Sequence, residues 1–287
     1  MNVAEPNIWL ERRVLNYAHR GGAKEAPSST IYAMRQALAH GADALELDIH
    51  ATADGRLVCA HDASVDRTTN GSGAVADLEL AELKALDPAW WFSPGHEAIE
   101  DLPEEAYPLR GQVASDPELA IPTLDEVLGA FPGVLLNLDI KGTAPEVAPY
   151  EEALAATLAR FDRIDDVIVT SFNDLATRAF SEFAPHVATS AGAMAVAQFW
   201  RAVRDGVPPP EMHHAALQVP AAYSGQAIID KEFVDAAHQA GMAVHAWTID
   251  DPTEMERLVR LGVDGIMSDL PSVVTLTLGR LGVAYGR

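Results

Sequence analysis

The sequence predicts an α/β fold, a closed (β/α)8 barrel with an insertion after its second strand, and three observations carry that expectation. Eight short apolar runs recur along the chain with little of the polar alternation that marks a half-exposed strand. Such runs suit a parallel sheet covered on both faces. Longer amphipathic segments with helix start and stop signals lie between them. Polar residues gather at the C-terminal ends of the runs, where a barrel builds its active face. A doubly wound open sheet is the alternative.

The strands are expected at Val14–Ala18, Ala44–Ile49, Val134–Ile140, Val167–Phe172, Val187–Ala191, Ala215–Val219, Ala243–Ile249 and Gly265–Ser268. Helix signals begin with Ser29–His40, which opens on a Ser/Thr pair and stops at Gly41. Tyr150–Phe161 is rich in Ala and Leu, and Asn173–Phe183 starts on an Asn cap. Asp230–Ala240 closes at Gly241, and Asp251–Leu261 has Pro252 in its first turn and Gly262 at its end. Pro271–Leu281 is the last helix expected. The connection from His50 to Gly133 is too long for one helix. It holds the Asp-, Thr- and Gly-rich stretch Asp62–Gly73, then Trp90 and Trp91, and is expected as an insertion at about residues 62–120 of a single domain spanning 1–287. The aromatics Trp90-Trp91-Phe92 either pack that insertion onto the barrel or offer an apolar wall to a leaving group or lipid.

Of 287 residues, 48% are apolar, a globular rather than disordered composition. Acidic residues number 42 and basic residues 20, a net charge of −22. That charge excludes a protein that coats nucleic acid and disfavours adhesion to an anionic membrane. The single cysteine, Cys59, rules out an intrachain disulfide and a thiolate metal cluster. Met1–Arg13 shows no leader and no run is long enough to span a membrane, so a cytoplasmic location without a stable membrane anchor is expected. Oligomeric state leaves no signal.

The strand ends supply the chemistry. Glu46 and Asp48 sit two apart on one strand and so face the same side. Two carboxylates buried together need a partner or a metal, and Asp139 adds a third from the next strand. Oxygen donors without a thiolate fit a hard divalent cation, Mg2+ or Ca2+; a salt-bridge network with Arg20 and Lys141 is the other reading. His19 and His61 are the candidate acid and base, since imidazole titrates near neutrality, against the alternative of hydrogen-bonded structural histidines. Arg20 and Lys141 can hold an anionic group or balance the carboxylates. Gln218 and Trp247 stand at later strand ends, and His245, two residues before Trp247, is read as structural.

The order of these motifs resembles the glycerophosphodiester phosphodiesterases. The resemblance is carried by Ala18-His19-Arg20-Gly21-Gly22, Pro27-Ser28-Ser29-Thr30, Glu46-Leu47-Asp48, Thr52-Ala53-Asp54-Gly55, His61-Asp62 and Asp66-Arg67-Thr68-Thr69. It continues through Ile121–Leu128, Asp139-Ile140-Lys141, Ser171-Phe172, Trp247-Thr248, Gly262–Gly265 and Ser268-Asp269, covering about residues 14–275. It implies a (β/α)8, or TIM-type, barrel with an insertion after strand two, and divalent-cation-dependent hydrolysis of glycerophosphodiesters to glycerol 3-phosphate and an alcohol. By position it implies Glu46, Asp48 and Asp139 as metal ligands and His19 and His61 as the acid–base pair. Arg20 and Lys141 would contact the phosphate, Phe172 and Trp247 would line the glycerol side, and Gln218 is a pocket candidate. A cyclic phosphate formed by the glycerol 2-hydroxyl is the implied route. Two departures stand out. The family's Pro-Glu-Asn-Thr reads Pro27-Ser28-Ser29-Thr30, with Glu25 as a displaced carboxylate and Ser29 as an expected helix cap, and Asp139 replaces a glutamate. Alternatives are a phospholipase D-type enzyme on lysophospholipid or sphingolipid head groups, and a binding protein without turnover.

Overall fold

All eight apolar runs form strands, and their order around the barrel is their order in the chain. The computed structural model describes residues 7–11, 14–142 and 145–283. In chain order, helix α1 (Ile8–Glu11) precedes β1 (Leu15–His19), α2 (Ile31–Ala39), β2 (Ala44–Ala51) and β3 (Leu57–Cys59). Then come α3 (Leu80–Lys84), α4 (Leu124–Ala130), β4 (Leu135–Ile140), α5 (Glu151–Arg160), β5 (Val167–Thr170) and α6 (Asp174–Phe183). These lead to β6 (Ala188–Thr189), α7 (Ala193–Arg204), β7 (Ala216–Pro220) and a small hairpin of β8 (Ala222–Tyr223) and β9 (Gln226–Ala227). The chain continues through α8 (Lys231–Gln239), β10 (Ala243–Trp247), α9 (Pro252–Leu261), β11 (Gly265–Ser268) and α10 (Pro271–Leu281). Residues 1–6 and 12–13, part of the stretch read for a leader, lie outside the described residues.

The parallel order is β6-β5-β4-β2-β1-β11-β10-β7. Ala215 N–H to Thr189 O (2.8 Å) and Ala191 N–H to Ala216 O (3.1 Å) join β6 to β7 and close the ring. The doubly wound alternative is therefore set aside. β3 lies antiparallel on β2 and leads into the insertion.

Strand alternation divides the side chains. Leu45, Leu47 and Ile49 on β2, and Leu136, Leu138 and Ile140 on β4, point outward and are fully buried under the helices. Each such side chain contributes about 1.5–3 kcal/mol by leaving water. The alternate positions face the barrel interior, where Leu15, Ala44, Leu135 and Ile168 form its lower layer. Trp9 of α1 joins that layer, packing edge-on to His245 with centroids 6.4 Å apart. Asn7 anchors α1 by donating to the Ala215 and Gly241 carbonyls, 2.8 Å each.

Helix boundaries follow caps. Thr30, not Ser29, caps α2: its Oγ1 accepts from Ala33 N–H at 3.1 Å. Ser29 instead takes a left-handed backbone, φ 60°, with its hydroxyl buried and unbonded. Helix α7 carries no cap of its own on Gly192. Asp174, at the start of α6, reaches across to accept from Met194 and Ala195 N–H, 2.9 and 3.1 Å. A cap supplied by the first residue of another helix is why no start signal precedes α7 in the sequence.

The insertion has its own small core of Val58, Val65, Val75, Leu83 and Ile121. Trp91 packs edge-on to Tyr107 at 6.0 Å, and the Arg110 guanidinium covers Trp90, Trp91 and Tyr107, the last at 3.6 Å. Phe92 is buried. These aromatics pack the insertion; they do not form an open wall.

Candidate active site

Parallel pairing puts like-facing residues of adjacent strands side by side. The register sets His19 of β1 beside Glu46 of β2, and Asp48 of β2 beside Asp139 of β4. One strand of two-residue periodicity therefore delivers Glu46 and Asp48 inward, and its neighbours deliver His19 and Asp139 to the same space. All three carboxylates are buried. Lys141, just past β4, bridges two of them, its Nζ 2.8 Å from Asp48 Oδ1 and 2.7 Å from Asp139 Oδ2. Its backbone N–H donates to the Tyr150 hydroxyl (3.1 Å), which itself donates to the Ile49 carbonyl (2.6 Å).

Each candidate histidine is held at Nδ1 by its own carboxylate. His19 Nδ1 lies 2.6 Å from Asp269 Oδ1, and His61 Nδ1 lies 2.6 Å from Asp62 Oδ1. Hydrogen bonding from His61 holds the Asp62 carboxyl well below the usual range. Burial pushes Asp269 up, but the bond from His19 and the charges of His19 and Lys24 outweigh it, and Asp269 also sits low. Both acids are therefore ionised acceptors, so the ring Nδ1–H donates and Nε2 is left for proton transfer. His19 Nε2 stands 3.8 Å from Glu46 Oε2. Burial lowers the His19 pKa, yet Asp269 and Glu46 prevail and raise it.

Arg20 turns away from β1 in a left-handed conformation, φ 52°. Its backbone N–H donates to Glu46 Oε2 (3.0 Å), and its guanidinium Nε stands 3.6 Å from Asp48 Oδ2. Nη1 grips both oxygens of Glu97, 2.9 Å each. Glu97 also accepts from Arg67 Nη1 (2.8 Å), and Arg67 Nε donates to Asp62 (2.6 Å). One chain of charges thus links His61, Asp62, Arg67, Glu97, Arg20 and Asp48.

Seven acids (Glu46, Asp48, Asp62, Glu97, Asp139, Asp250, Asp269) meet four permanent cations (Arg20, Lys24, Arg67, Lys141) in this network, and the imbalance shows in the pKa values. Burial, reinforced by Asp48, pushes Glu46 up to about 7. Burial, again with Asp48 and against Lys141, pushes Asp139 up to about 6. Asp48 is held low because Lys141, His61 and Arg20 outweigh its burial. Asp48 Oδ2 and Asp139 Oδ1 are buried without a hydrogen bond. Among the described residues no three acidic, histidine or cysteine side chains already surround one point as ion ligands. The donor set nonetheless fits a hard divalent cation: oxygen atoms alone, two of them unbonded, in a negatively charged floor.

The opposite wall is aromatic. Phe172, after β5, packs edge-on to Trp247 at the end of β10, centroids 5.4 Å apart, and Lys141 Nζ lies 5.8 Å from the Phe172 ring.

The structure thus gathers His19, Arg20, Glu46, Asp48, His61, Asp139, Lys141, Phe172 and Trp247 at one barrel mouth. Gln218 is placed a layer lower, buried inside the barrel, where its amide donates to Asn137 Oδ1 at 2.7 Å across the interior. His245 lies at that level against Tyr17, and burial pushes its pKa down to about 3, a neutral structural residue as expected. Glu25 does not reach the pocket; it accepts from Ser272 N–H (3.0 Å) and Oγ (2.6 Å) at the start of α10. Ser28 lines a small cavity with His61, Asp62 and Arg67. Sequence reasoning assigned no role to Glu97, Asp62, Arg67 or Asp269. Asp62 and Asp269 lie inside quoted motifs and were findable as histidine partners. Glu97, 77 positions from Arg20, gave no signal.

Comparison with known proteins gives the family and the fold. The model of the glycerophosphoryl diester phosphodiesterase family matches residues 19–273. A glycerophosphodiester phosphodiesterase of Caldanaerobacter subterraneus subsp. tengcongensis is 33% identical, over 91% of this chain and 96% of its own length. One from Bacillus subtilis is 32% identical, over 93% and 87%. The fold matches a glycerophosphoryl diester phosphodiesterase domain from Mycobacterium tuberculosis with a TM-score of 0.74 at 21% identity, over 93% of this chain and 99% of that one. It also matches an Oleispira antarctica phosphodiesterase solved with sn-glycerol-3-phosphate, TM-score 0.70 at 24% identity, over 94% and 98%. The family match spans most of the chain, from His19 to residue 273, and the chain belongs to the glycerophosphoryl diester phosphodiesterase family.

Proposed function

We propose that this protein is a phosphoric diester hydrolase that converts glycerophosphodiesters to glycerol 3-phosphate and an alcohol by paired histidine acid–base catalysis. One observation carries the reading: two imidazoles, each oriented at Nδ1 by an ionised aspartate, flank a floor of buried carboxylates crossed by Lys141 and Arg20. Two-way proton transfer at an anionic phosphorus needs that pair and that charge. Glu46, Asp48 and Asp139 would hold a divalent cation, Mg2+ or Ca2+, whose charge would stabilise the phosphate oxygens.

The chain's own residues do the rest. Lys141 and Arg20 offset the diester's negative charge, and Phe172 and Trp247 wall the glycerol carbons. One histidine accepts the proton of the glycerol 2-hydroxyl as its oxygen bonds to phosphorus; the other protonates the departing alcohol oxygen as its bond to phosphorus breaks. Water then opens the resulting cyclic phosphate with the two histidine roles exchanged. Asp62 and Asp269 keep each ring in place and stabilise its cationic form.

The test is turnover of glycerophosphocholine, glycerophosphoethanolamine and glycerophosphoglycerol by chelator-stripped protein with Mg2+, Ca2+ or Mn2+ restored singly. An analogue lacking the 2-hydroxyl is run beside them. Cation-dependent glycerol 3-phosphate release, with the analogue inert, is expected. Equal hydrolysis of the analogue would replace the cyclic route by direct water attack.

A further inference from the structure

Behind the Nδ1 edge of His19 sits a lysine that the mechanism does not use. Lys24 lies five residues after His19, in the loop that leads from β1 to α2. Its ammonium donates to Asp250 Oδ2 and stands 3.3 Å from Asp269 Oδ2. Asp269 is the carboxylate whose other oxygen, Oδ1, lies 2.6 Å from His19 Nδ1 and accepts its proton. One cation therefore bridges two acids on the loops after β10 and β11, and one of those acids holds the ring.

An isolated surface ion pair contributes little, because water screens it and two long side chains must be ordered. Lys24 is built differently. Its backbone is fixed on both sides: its N–H donates to the Asp269 carbonyl (3.1 Å), and its carbonyl accepts from Gly95 N–H (2.8 Å) in the insertion. Its partners are more enclosed than itself, the Asp269 side chain 14% and the Asp250 side chain 23% exposed against 35% for Lys24. Asp250 is held in turn, its Oδ1 accepting from the Ser268 hydroxyl (2.8 Å) and from Asp269 N–H (2.9 Å). Two enclosed carboxylates on adjoining loops repel each other unless a cation lies between them. Burial works against an ionised Asp269, and Lys24 adds to the bond and charge of His19 in keeping that carboxyl low.

We propose that Lys24 is a positioning residue for phosphodiester hydrolysis: by holding Asp269 Oδ2 it keeps Oδ1 on His19, and so keeps Nε2 aimed at the reacting oxygen. This rests on the phosphodiesterase reading above. Lys24 acts through the ring and not on the phosphate. Its ammonium is engaged by carboxylates on the Nδ1 edge, whereas Nε2 faces Glu46, 3.8 Å away. Without the ammonium, Asp269 Oδ2 loses a partner and Asp250 repels it, so the carboxylate is free to turn and the ring with it. The hydrogen bonds that fix the loop at Lys24 are made by its backbone, so truncating the side chain leaves the loop in place.

The experiment compares wild type with Lys24→Met and Lys24→Arg on whichever of glycerophosphocholine, glycerophosphoethanolamine and glycerophosphoglycerol wild type turns over fastest. Lys24→Met should lose about 10–100-fold in kcat with KM little changed, the cost of removing a partner behind a working histidine. Lys24→Arg, whose fork can still bridge both acids, should recover most of that loss. An unchanged kcat in Lys24→Met, or no recovery in Lys24→Arg, overturns the proposal. So does a raised KM with kcat intact, which would make Lys24 a substrate-binding cation. A second readout is independent of turnover. In protein labelled with ¹⁵N-histidine, the His19 Nδ1 proton is identified by its loss in His19→Ala. It should be protected from exchange with water in wild type and in Lys24→Arg, and exchange freely in Lys24→Met. A wild type without that protected proton, or equal protection in Lys24→Met, overturns the proposal and leaves the phosphodiesterase reading standing. If no diester is turned over, the phosphodiesterase reading falls, and the proton comparison alone decides whether Lys24 holds the ring.

Discussion

The two sides of the barrel mouth are built from the same strand–loop–helix unit and hold opposite chemistry. On the side of β1, β2 and β4, charged groups pair across long stretches of chain: His19 with Asp269, Arg20 with Glu97, Lys141 with Asp48. On the side of β5, β6 and β7 the loops are short and nearly uncharged, and one carboxylate, Asp174, ties two of them together. The difference teaches where reactivity is held. A buried charge needs a partner at a fixed distance, so the reactive side depends on residues far apart in sequence. The apolar side needs only contact. Damage to the first should lower the rate of chemistry; damage to the second should weaken substrate binding.

Several substitutions break or sharpen that contrast. On the proposed acid–base roles, His19→Ala and His61→Ala should each cost about 10²–10⁴ in kcat with circular dichroism unchanged. Near-wild-type kcat in either would remove that histidine from the mechanism. Glu97→Gln releases charge-assisted bonds to both Arg20 and Arg67, an expected loss of about 10–100-fold in kcat/KM, with partial recovery in Glu97→Asp. An unchanged kcat/KM would make the Glu97 bridge decoration.

The carboxylate floor gives a pH test. Glu46 and Asp139, pushed up to about 7 and 6, hold protons in the folded chain where the unfolded chain has already released them. Raised carboxyl values mean that the cation-free protein loses stability as pH climbs from the ordinary values of 4.5 and 3.8 through those raised ones. Added Mg2+ or Ca2+ should therefore raise Tm more at about pH 7.5 than at about pH 5, because cation binding needs the deprotonated form. An equal rise at both pH values would place the cation elsewhere. On the apolar side, Phe172→Ala should raise KM for glycerophosphocholine about two- to tenfold and spare kcat, since it removes wall contact and no proton donor. The smallest effect is on stability: Ser29→Asn should add about 0.5 kcal/mol, measured by urea unfolding, because Asn tolerates the left-handed backbone at φ 60° better than Ser does.

The same contrast explains what was legible in the sequence. The strands were, because each outward face is a continuous hydrocarbon stripe, and Glu46 and Asp48 were, because two-residue spacing on a buried strand leaves them no solvent. Ser29 was misread as a cap, since its left-handed turn is set by the adjoining Arg20–Gly22 corner and the capping falls to Thr30. Helix α7 escaped because its cap comes from Asp174. Gln218 sat at a strand end and looked available, yet its bond to Asn137 draws it into the barrel. Glu97 was invisible for the reason that makes it informative: its partners are fixed by the folded insertion and by no local pattern.

The central claim is that the charged side of the mouth hydrolyses a glycerol-linked phosphodiester. ³¹P NMR of glycerophosphocholine incubated with chelator-stripped protein, before and after one divalent cation is restored, tests it most directly. The account predicts no change before, then replacement of the diester signal by glycerol 3-phosphate with one choline released per phosphate. A diester signal that persists after saturating cation, in protein shown by calorimetry to bind it, would contradict the account.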